Sequence, residues 1–579
     1  MRCNADKFDM AQQLSVWEAV MVSLLLSNEA EQERRDEAVH DSAVHWFDKR
    51  CLHTPDRIAV VDWKSGLRLT YRSLHLRSER LAAALQSSNI KLGDRVVILL
   101  HNQAEMLEAM LACGMLGAIA VPLNWRLSIP ELDEIILDCE PQVLLYDDED
   151  ADIKRIMSGL QLVSCVLLSV AVVESDKESD KESDKESDNE SDKKSDKASN
   201  VSSAGNANGD IGSAGEHSAG ERTLVQRAAL TLDDAWMMIY TGGTTGKPKG
   251  VVLTHGSVFW NAVNTVISWQ LTEDDVTPTI LPMFHTGGMN ALTLPMLMAG
   301  GTVIVVRSFQ SEDMVRLLNE ERCTIALMVP TMYHMLIQSD EFARSAFPTM
   351  RTFLSGGAPC PLSVYDAFKA KGLPFKEGYG ATESGPNNFV IDPLIAAQKP
   401  GSVGLPMLFS EVKLIPTEGD ALLMDQVGEL ALRGGHLFSH YWNNPEATSG
   451  ALREGWFLTG DLAKQDKEGY FYIVGRKKDM IITGGENVYP LEVEQTLASY
   501  PHVKEAAVIG LPDDKWGEVV AAVIVADEVT SVTEADLIVF CSARIGKYKV
   551  PKRFMFVTEL PKTAVGKLDK KQMKQWFSG

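Results

Sequence analysis

Short apolar runs of strand length alternate with longer segments of helical spacing along most of this chain. That alternation restricts it to sheets whose faces are covered. Arg95–Leu100 and Thr302–Val306 are runs of the first kind, and Gln103–Leu116 is a segment of the second. Strands apolar on both faces belong in largely parallel sheets flanked by helices. With 579 residues the chain exceeds what one core holds, so two or more domains are expected. After about Arg476 the texture becomes compact and basic, ending in Lys-rich sequence from Lys562 to Lys574. The expected division is an N-terminal extension over 1–40, a large domain over 41–475 and a small domain over 476–579.

One segment breaks the pattern. From Glu174 to about Lys197 a Glu-Ser-Asp-Lys motif recurs every four residues, and a Ser/Gly/Ala/Asn stretch follows to about Gly220. No apolar residue recurs there, so 174–220 is expected to be a disordered insertion in a surface loop, at little closure cost. The formal net charge of -23 argues against a general nucleic-acid binder. The eight cysteines are scattered with no C-x-x-C pair, which fits a reducing, cytoplasmic setting. The apolar run Val16–Leu26 is too short to span a bilayer and reads as an amphipathic helix; no membrane span is expected elsewhere.

The most informative segment is YTGGTTGKPKG, Tyr240–Gly250, between the expected strand Ala235–Tyr240 and the apolar run Val251–Leu253. Gly242, Gly243 and Gly246 let the backbone approach phosphate oxygens. Thr241, Thr244 and Thr245 add hydroxyl donors, Lys247 and Lys249 add charge, and Pro248 prevents a helix from continuing. The loop is built to wrap a polyphosphate. It is not a Walker A loop, because Thr241 stands where the first glycine belongs and Pro248 where Ser or Thr should follow the lysine.

This segment resembles the signature loop of the adenylate-forming, AMP-binding superfamily, which includes acyl-CoA synthetases, peptide-synthetase adenylation domains and firefly-type luciferases. The usual pattern carries Ser where this chain has Gly242. Further motifs of that superfamily follow in order, and the resemblance runs from roughly Trp46 to the C-terminus apart from the acidic insertion. It implies a large N-terminal α/β domain of mostly parallel sheets with covering helices and a small barrel-like part, followed by a smaller, mobile α+β lid domain.

The resemblance also implies roles. LPMFHTGG places His285 beside the reacting carboxylate; amino-acid-adenylating relatives carry an Asp in this motif that pairs with the substrate ammonium, and this chain offers none. SGGAP places Gly357, Ala358 and Pro359 beneath adenine. In GYGATES, Gly378, Gly380 and Ala381 shape the nucleotide site, Tyr379 stacks on the base, Thr382 donates to the α-phosphate and Glu383 holds Mg²⁺ together with Thr245. Asp461 of TGD accepts from the ribose hydroxyls and Arg476 of GRKKD reaches the ribose or phosphates. Lys478 takes the hinge position. Gly484, Gly485, Glu486 and Asn487 line the coenzyme A tunnel, and Lys567 takes the catalytic lysine position.

The implied chemistry has two steps. A carboxylate attacks the ATP α-phosphorus and displaces pyrophosphate, leaving the acyl-adenylate, and Mg²⁺ with the loop donors offsets the repulsion of two anions. Lys567 bridges the carboxylate and α-phosphate. A rotation about Lys478 then withdraws Lys567 and admits the coenzyme A thiolate. The acyl pocket is expected near Trp260, Met289–Leu292, Met328–Thr331 and Gly378–Tyr379, an apolar and Met-rich set. The expected substrate is a medium- or long-chain fatty acid. The alternatives are an aryl acid, an adenylation enzyme loading a separate carrier protein, and a catalytically dead nucleotide-binding protein. Oligomeric state stays open, a dimer included.

Overall fold

The computed structural model describes residues 43–161, 165–170, 225, 227, 229–242, 248–416, 425–527, 532–562 and 568–577. The run Val16–Leu26, the acidic repeat and the Ser/Gly/Ala/Asn stretch lie outside them. Among the described residues no helix is long and apolar enough to cross a membrane.

A seven-stranded sheet has the spatial order His440–Tyr441, Pro248–Thr254, Ala235–Gly242, Ile119–Pro122, Arg95–Leu99, Val143–Tyr146, Val166–Ser169. Its last five strands are parallel, whereas the first two pairings are antiparallel. A four-stranded sheet is ordered Arg68–Thr70, Ile58–Asp62, Thr302–Val305, Val276–Thr279, and a three-stranded parallel sheet is ordered Ile325–Met328, Thr352–Ser355, Phe375–Glu377. A wholly antiparallel sheet curls beside them, in the order Phe389–Val390, Ser402–Pro406, Phe471–Arg476, Trp456–Gln465, Gly428–Arg433, Glu411–Pro416. Beyond it the chain builds a separate five-stranded sheet from Ile481–Thr483, Glu486–Val488, Val503–Asp513, Gly517–Ala526 and Arg553–Val557. The architecture is a large α/β domain with a curled sheet and a smaller C-terminal domain.

The helix Ala104–Leu116 shows why the large domain is layered. It is apolar nearly all round and buried on every face except at Glu105, as a helix between two sheets must be. Its one buried acid, Glu108, pairs with Arg77, which also reaches Glu105 at 2.9 Å. The helix stops at Gly117, whose φ of 69° suits glycine and whose missing Cβ leaves room for Leu92 and Leu230.

One expectation needs correction. The strand before the phosphate motif does not end at Tyr240: it continues through Thr241 and Gly242, which pair with Lys249 and Pro248. The described ends of the motif are the two arms of an antiparallel ladder, paired as far as Gly242 and Pro248. The return strand Pro248–Thr254 therefore departs from the largely parallel pattern, as does the curled sheet.

The three-stranded sheet ends at Glu377, which is buried and accepts hydrogen bonds from the Tyr365 hydroxyl (2.6 Å) and the Cys360 N–H (3.1 Å). This carboxyl ties the strand leading into Gly378 to Cys360, just after the turn Gly357–Pro359, and to the helix that carries Tyr365. Desolvation pushes it up to about 7. Between the ordinary carboxylate range and about pH 7 the folded state therefore holds a proton that the unfolded state has lost, so Glu377 makes stability fall as pH rises through that window. Glu377→Gln should remove a fall on the order of 2 kcal/mol from the difference between denaturation free energies at pH 5 and pH 7.5. An unchanged difference would reject the assignment.

Candidate active site

The pairing of Trp456–Gln465 with Phe471–Arg476 sets Asp461 directly opposite Arg476. Arg476 Nε lies 2.5 Å from Asp461 Oδ1, and the Tyr379 hydroxyl donates to Oδ2 at 2.5 Å. Asp461 is buried, and its backbone N–H donates to Thr459 Oγ1 (3.0 Å), whose own hydroxyl donates to the Leu430 carbonyl (2.7 Å). Burial and the Asp461 charge hold the Tyr379 phenol well above its ordinary range, so it stays a donor. The structure thus brings Tyr379, Asp461 and Arg476 into one cluster where strand Phe375–Glu377 meets the curled sheet.

A second cluster forms at the base of the hairpin. The Tyr441 hydroxyl donates to Glu383 Oε1 (2.9 Å), the Phe438 N–H donates to the Glu383 carbonyl (2.8 Å), and Lys249 Nζ lies 5.0 Å from the Tyr441 ring centroid. Tyr441 pairs with Val251, so the ladder through Pro248–Thr254 brings Lys249 over the ring whose hydroxyl meets Glu383. Thr382 beside them is buried. Gly380 has to be glycine: a Cβ there would lie 2.3 Å from the Gly385 carbonyl oxygen. The turn is held by Ala381 N–H, which donates to Ser384 Oγ (3.1 Å), and by Asn388, which donates to the same oxygen (3.1 Å).

The remaining expected residues fall around these clusters. Gly378 donates to the Ser355 carbonyl (2.8 Å), and the exposed turn Gly357, Ala358 and Pro359 begins at a φ of 82°. His285 precedes the short helix Thr286–Met289, half-buried, with its ring 5.1 Å from Phe284. Lys478 is exposed in the 3₁₀ turn Lys477–Asp479. Gly484 and Gly485 join Ile481–Thr483 to Glu486–Val488 as a two-residue hairpin turn with φ of 60° and 84°, and Glu486 and Asn487 open the return strand. Gly243, Thr244, Thr245, Gly246, Lys247 and Lys567 lie outside the described residues.

Three features were missed from the sequence. Tyr441 carries no motif, since its tie to Glu383 spans 58 residues and exists only in the folded ladder. Trp516 packs against Gly484, whose N–H donates to its carbonyl (2.8 Å), and Lys515 and Lys552 stand 4.9 and 4.2 Å from its ring centroid. The third is a buried amide array. Asn261 donates to the Asn290 carbonyl (2.6 Å), Asn387 to the Ala291 carbonyl (2.7 Å) and Thr265 Oγ1 (2.9 Å), and Asn388 Oδ1 lies 3.0 Å from His436 Nε2. The apolar expectation for Met289–Leu292 holds at Met289, Ala291 and Leu292 but omits Asn290 and its partners. The run Asn387–Asn388 was a signal, because adjacent amides after a glycine-rich turn need partners once buried.

Residues 47–442 match the AMP-binding enzyme family, and residues 492–567 match its C-terminal domain. The chain is 36% identical over 532 residues to a feruloyl-CoA synthase of Amycolatopsis sp, covering 92% of this chain and 98% of that protein. It is 33% identical over 536 residues to the long-chain-fatty-acid–CoA ligase FadD13 of Mycobacterium tuberculosis, covering 92% and 97%. The solved o-succinylbenzoate CoA synthetase of Bacillus subtilis, in complex with its acyl-adenylate intermediate, superposes with a TM-score of 0.76 at 31% identity, covering 92% of this chain and 98% of that one. The chain belongs to the AMP-binding enzyme family and is an AMP-forming acid–thiol ligase.

Proposed function

We propose that this ligase activates an aryl carboxylic acid as its acyl-adenylate and transfers the acyl group to coenzyme A. The observation that carries the choice of acid is the buried amide array of Asn261, Asn290, Asn387 and Asn388, which cross-links helix His255–Ser268, the segment after His285 and the turn after Glu383. These segments flank the expected acyl pocket. Amides bonded to backbone carbonyls and hydroxyls of neighbouring segments make a rigid, half-polar support, which suits a flat ring better than an extended alkyl chain. The names of the feruloyl and succinylbenzoate relatives support the same reading, and FadD13 keeps the fatty-acid reading as its rival.

The residues have separate tasks in this proposal. Asp461 and Arg476 hold the ribose, with Tyr379 against adenine. Lys249 and the hairpin tip meet the phosphates, and His285 borders the carboxylate. Glu383 offers a hard carboxylate oxygen oriented by Tyr441, and that donor fits Mg²⁺. Glu383 and the Thr245 hydroxyl would hold the ion, which when bound offsets charge between phosphate and carboxylate. Lys567 aligns the attack and stabilises the charge on the α-phosphate. For the second step, Gly484–Asn487 line the thiol path, and the Trp516 ring with its two lysines suits the nucleotide end of coenzyme A.

The deciding experiment measures pyrophosphate release with ATP, Mg²⁺ and coenzyme A over acetate, octanoate, palmitate, benzoate, ferulate, 4-coumarate and several amino acids, with the thioester identified by mass. Aryl acids should give the highest kcat/KM; a preference for octanoate or palmitate would overturn the choice of acid and restore the fatty-acid reading. Lys567→Ala should slow adenylation by about 10²- to 10³-fold while thioester formation from supplied acyl-adenylate stays near wild type. Equal damage to both steps would reject that role. Tyr441→Phe leaves Glu383 without its orienting donor. It should lower pyrophosphate exchange by about ten-fold and raise the Mg²⁺ concentration for half-maximal rate; an unchanged Mg²⁺ dependence would remove Tyr441 from the site.

A further inference from the structure

The 3₁₀ turn Lys477–Asp479 is tied on both sides of Lys478. On one side, Lys477 Nζ lies 2.7 Å from Glu429 Oε2 on strand Gly428–Arg433 of the curled sheet. On the other, Asp479 Oδ2 lies 3.9 Å from Lys570 Nζ on the last helix, and that ammonium also reaches Glu494 Oε1 and the Val508 carbonyl at 3.4 and 3.3 Å. Arg476, one residue earlier, is committed to Asp461. So the residue before Lys478 is anchored to the large domain and the residue after it to the small one. The two anchors differ in character. Glu429 is buried, with its side chain 11% exposed, whereas that of Lys477 is 55% exposed. An open cavity of about 600 Å³, lined in part by Glu429, Arg453, Thr459, Gly460 and Lys477, borders the pair.

We infer that the Lys477–Glu429 ion pair is a strap that fixes the large-domain side of the hinge, confines rotation to Lys478 and thereby sets the balance between adenylation and thioester formation. The inference rests on the hinge reading of Lys478. A buried carboxylate cannot follow a moving partner, so Lys477 stays with the curled sheet while the strap holds. Its half-exposed ammonium, next to an open cavity, can detach without steric cost. Release would spread the rotation over Arg476–Lys478 and loosen the arginine that meets Asp461. Lys477 and Glu429 are positioning residues: they act through Arg476 and Lys478 and touch no reacting atom.

The test compares the two half-reactions, pyrophosphate exchange and coenzyme A acylation from supplied acyl-adenylate, in Glu429→Gln, Lys477→Met and the charge-swapped Lys477→Glu/Glu429→Lys protein. Both single variants should move the ratio of the half-reaction rates in the same direction, by about two- to five-fold, and the swap should bring it back toward wild type. In the wild type the ratio should shift between low and high salt, and in Glu429→Gln that salt response should disappear. Thermal denaturation of each variant controls for folding, and Glu429→Gln, the mildest change, carries the conclusion if the swap is unstable. An unchanged ratio and salt response in both single variants would overturn the strap. Lys478→Pro separates this from the hinge itself, because proline fixes the backbone φ there. If it impairs one half-reaction while the single variants are silent, only the strap is wrong. If it leaves both half-reactions intact, the hinge reading falls and the strap with it.

Discussion

The site depends on one cross-strand ion pair. Asp461 and Arg476 face each other because two strands of the curled sheet are antiparallel and in register at that point, and Tyr379 completes the pair from the neighbouring parallel sheet. A buried carboxylate between a guanidinium and a phenol has both oxygens committed, so its orientation is set before any ligand arrives. Everything nearby is referenced to it: the Thr459–Asp461 turn through Leu430, the motif Gly378–Ser384 through Tyr379, and the turn Lys477–Asp479 through Arg476.

A second level of order comes from backbone packed too closely for side chains. Gly380 against Gly385 and Gly484 against the Trp516 ring are contacts that any Cβ would break. They place two motifs from different domains as rigid turns rather than loose loops. The hairpin that carries Thr241, Gly242, Pro248 and Lys249 is similarly rigid in its arms, since ladder pairing reaches to Gly242 and Pro248.

What was legible in the sequence follows from the range of the interactions. Alternating apolar runs located Arg95–Leu99, Ala104–Leu116 and Thr302–Val305 to within a residue or so, because periodicity is a local signal. The order of the motifs implied that Glu383, Asp461 and Arg476 serve one site, and the structure brings Asp461 and Arg476 together. The antiparallel arms of the phosphate motif were not legible, because a strand of either direction reads the same along the chain. Tyr441, Trp516 and Glu429 were equally hidden. Each acts through a partner that is remote in sequence, and a lone Tyr, Trp or Glu offers no spacing to read. The amide array was hidden in a different way: Met289 and its apolar neighbours dominate the composition of that segment, and the tie of the Asn290 carbonyl to Asn261 exists only in the fold.

The charge balance explains why these ties matter. A chain with a formal charge of -23 gains little long-range attraction for ATP or coenzyme A, both polyanions. Recognition has to come from cations held where they are needed. Lys249 is stationed against the Tyr441 ring, Arg476 against Asp461, and Lys515 and Lys552 against Trp516. Each is oriented by an aromatic face or a buried acid, although Arg476, Lys515 and Lys552 are exposed. Lys477 is held in the same manner by the protein's own Glu429. In a chain of this net charge, local partners rather than the overall field therefore fix where positive potential stands.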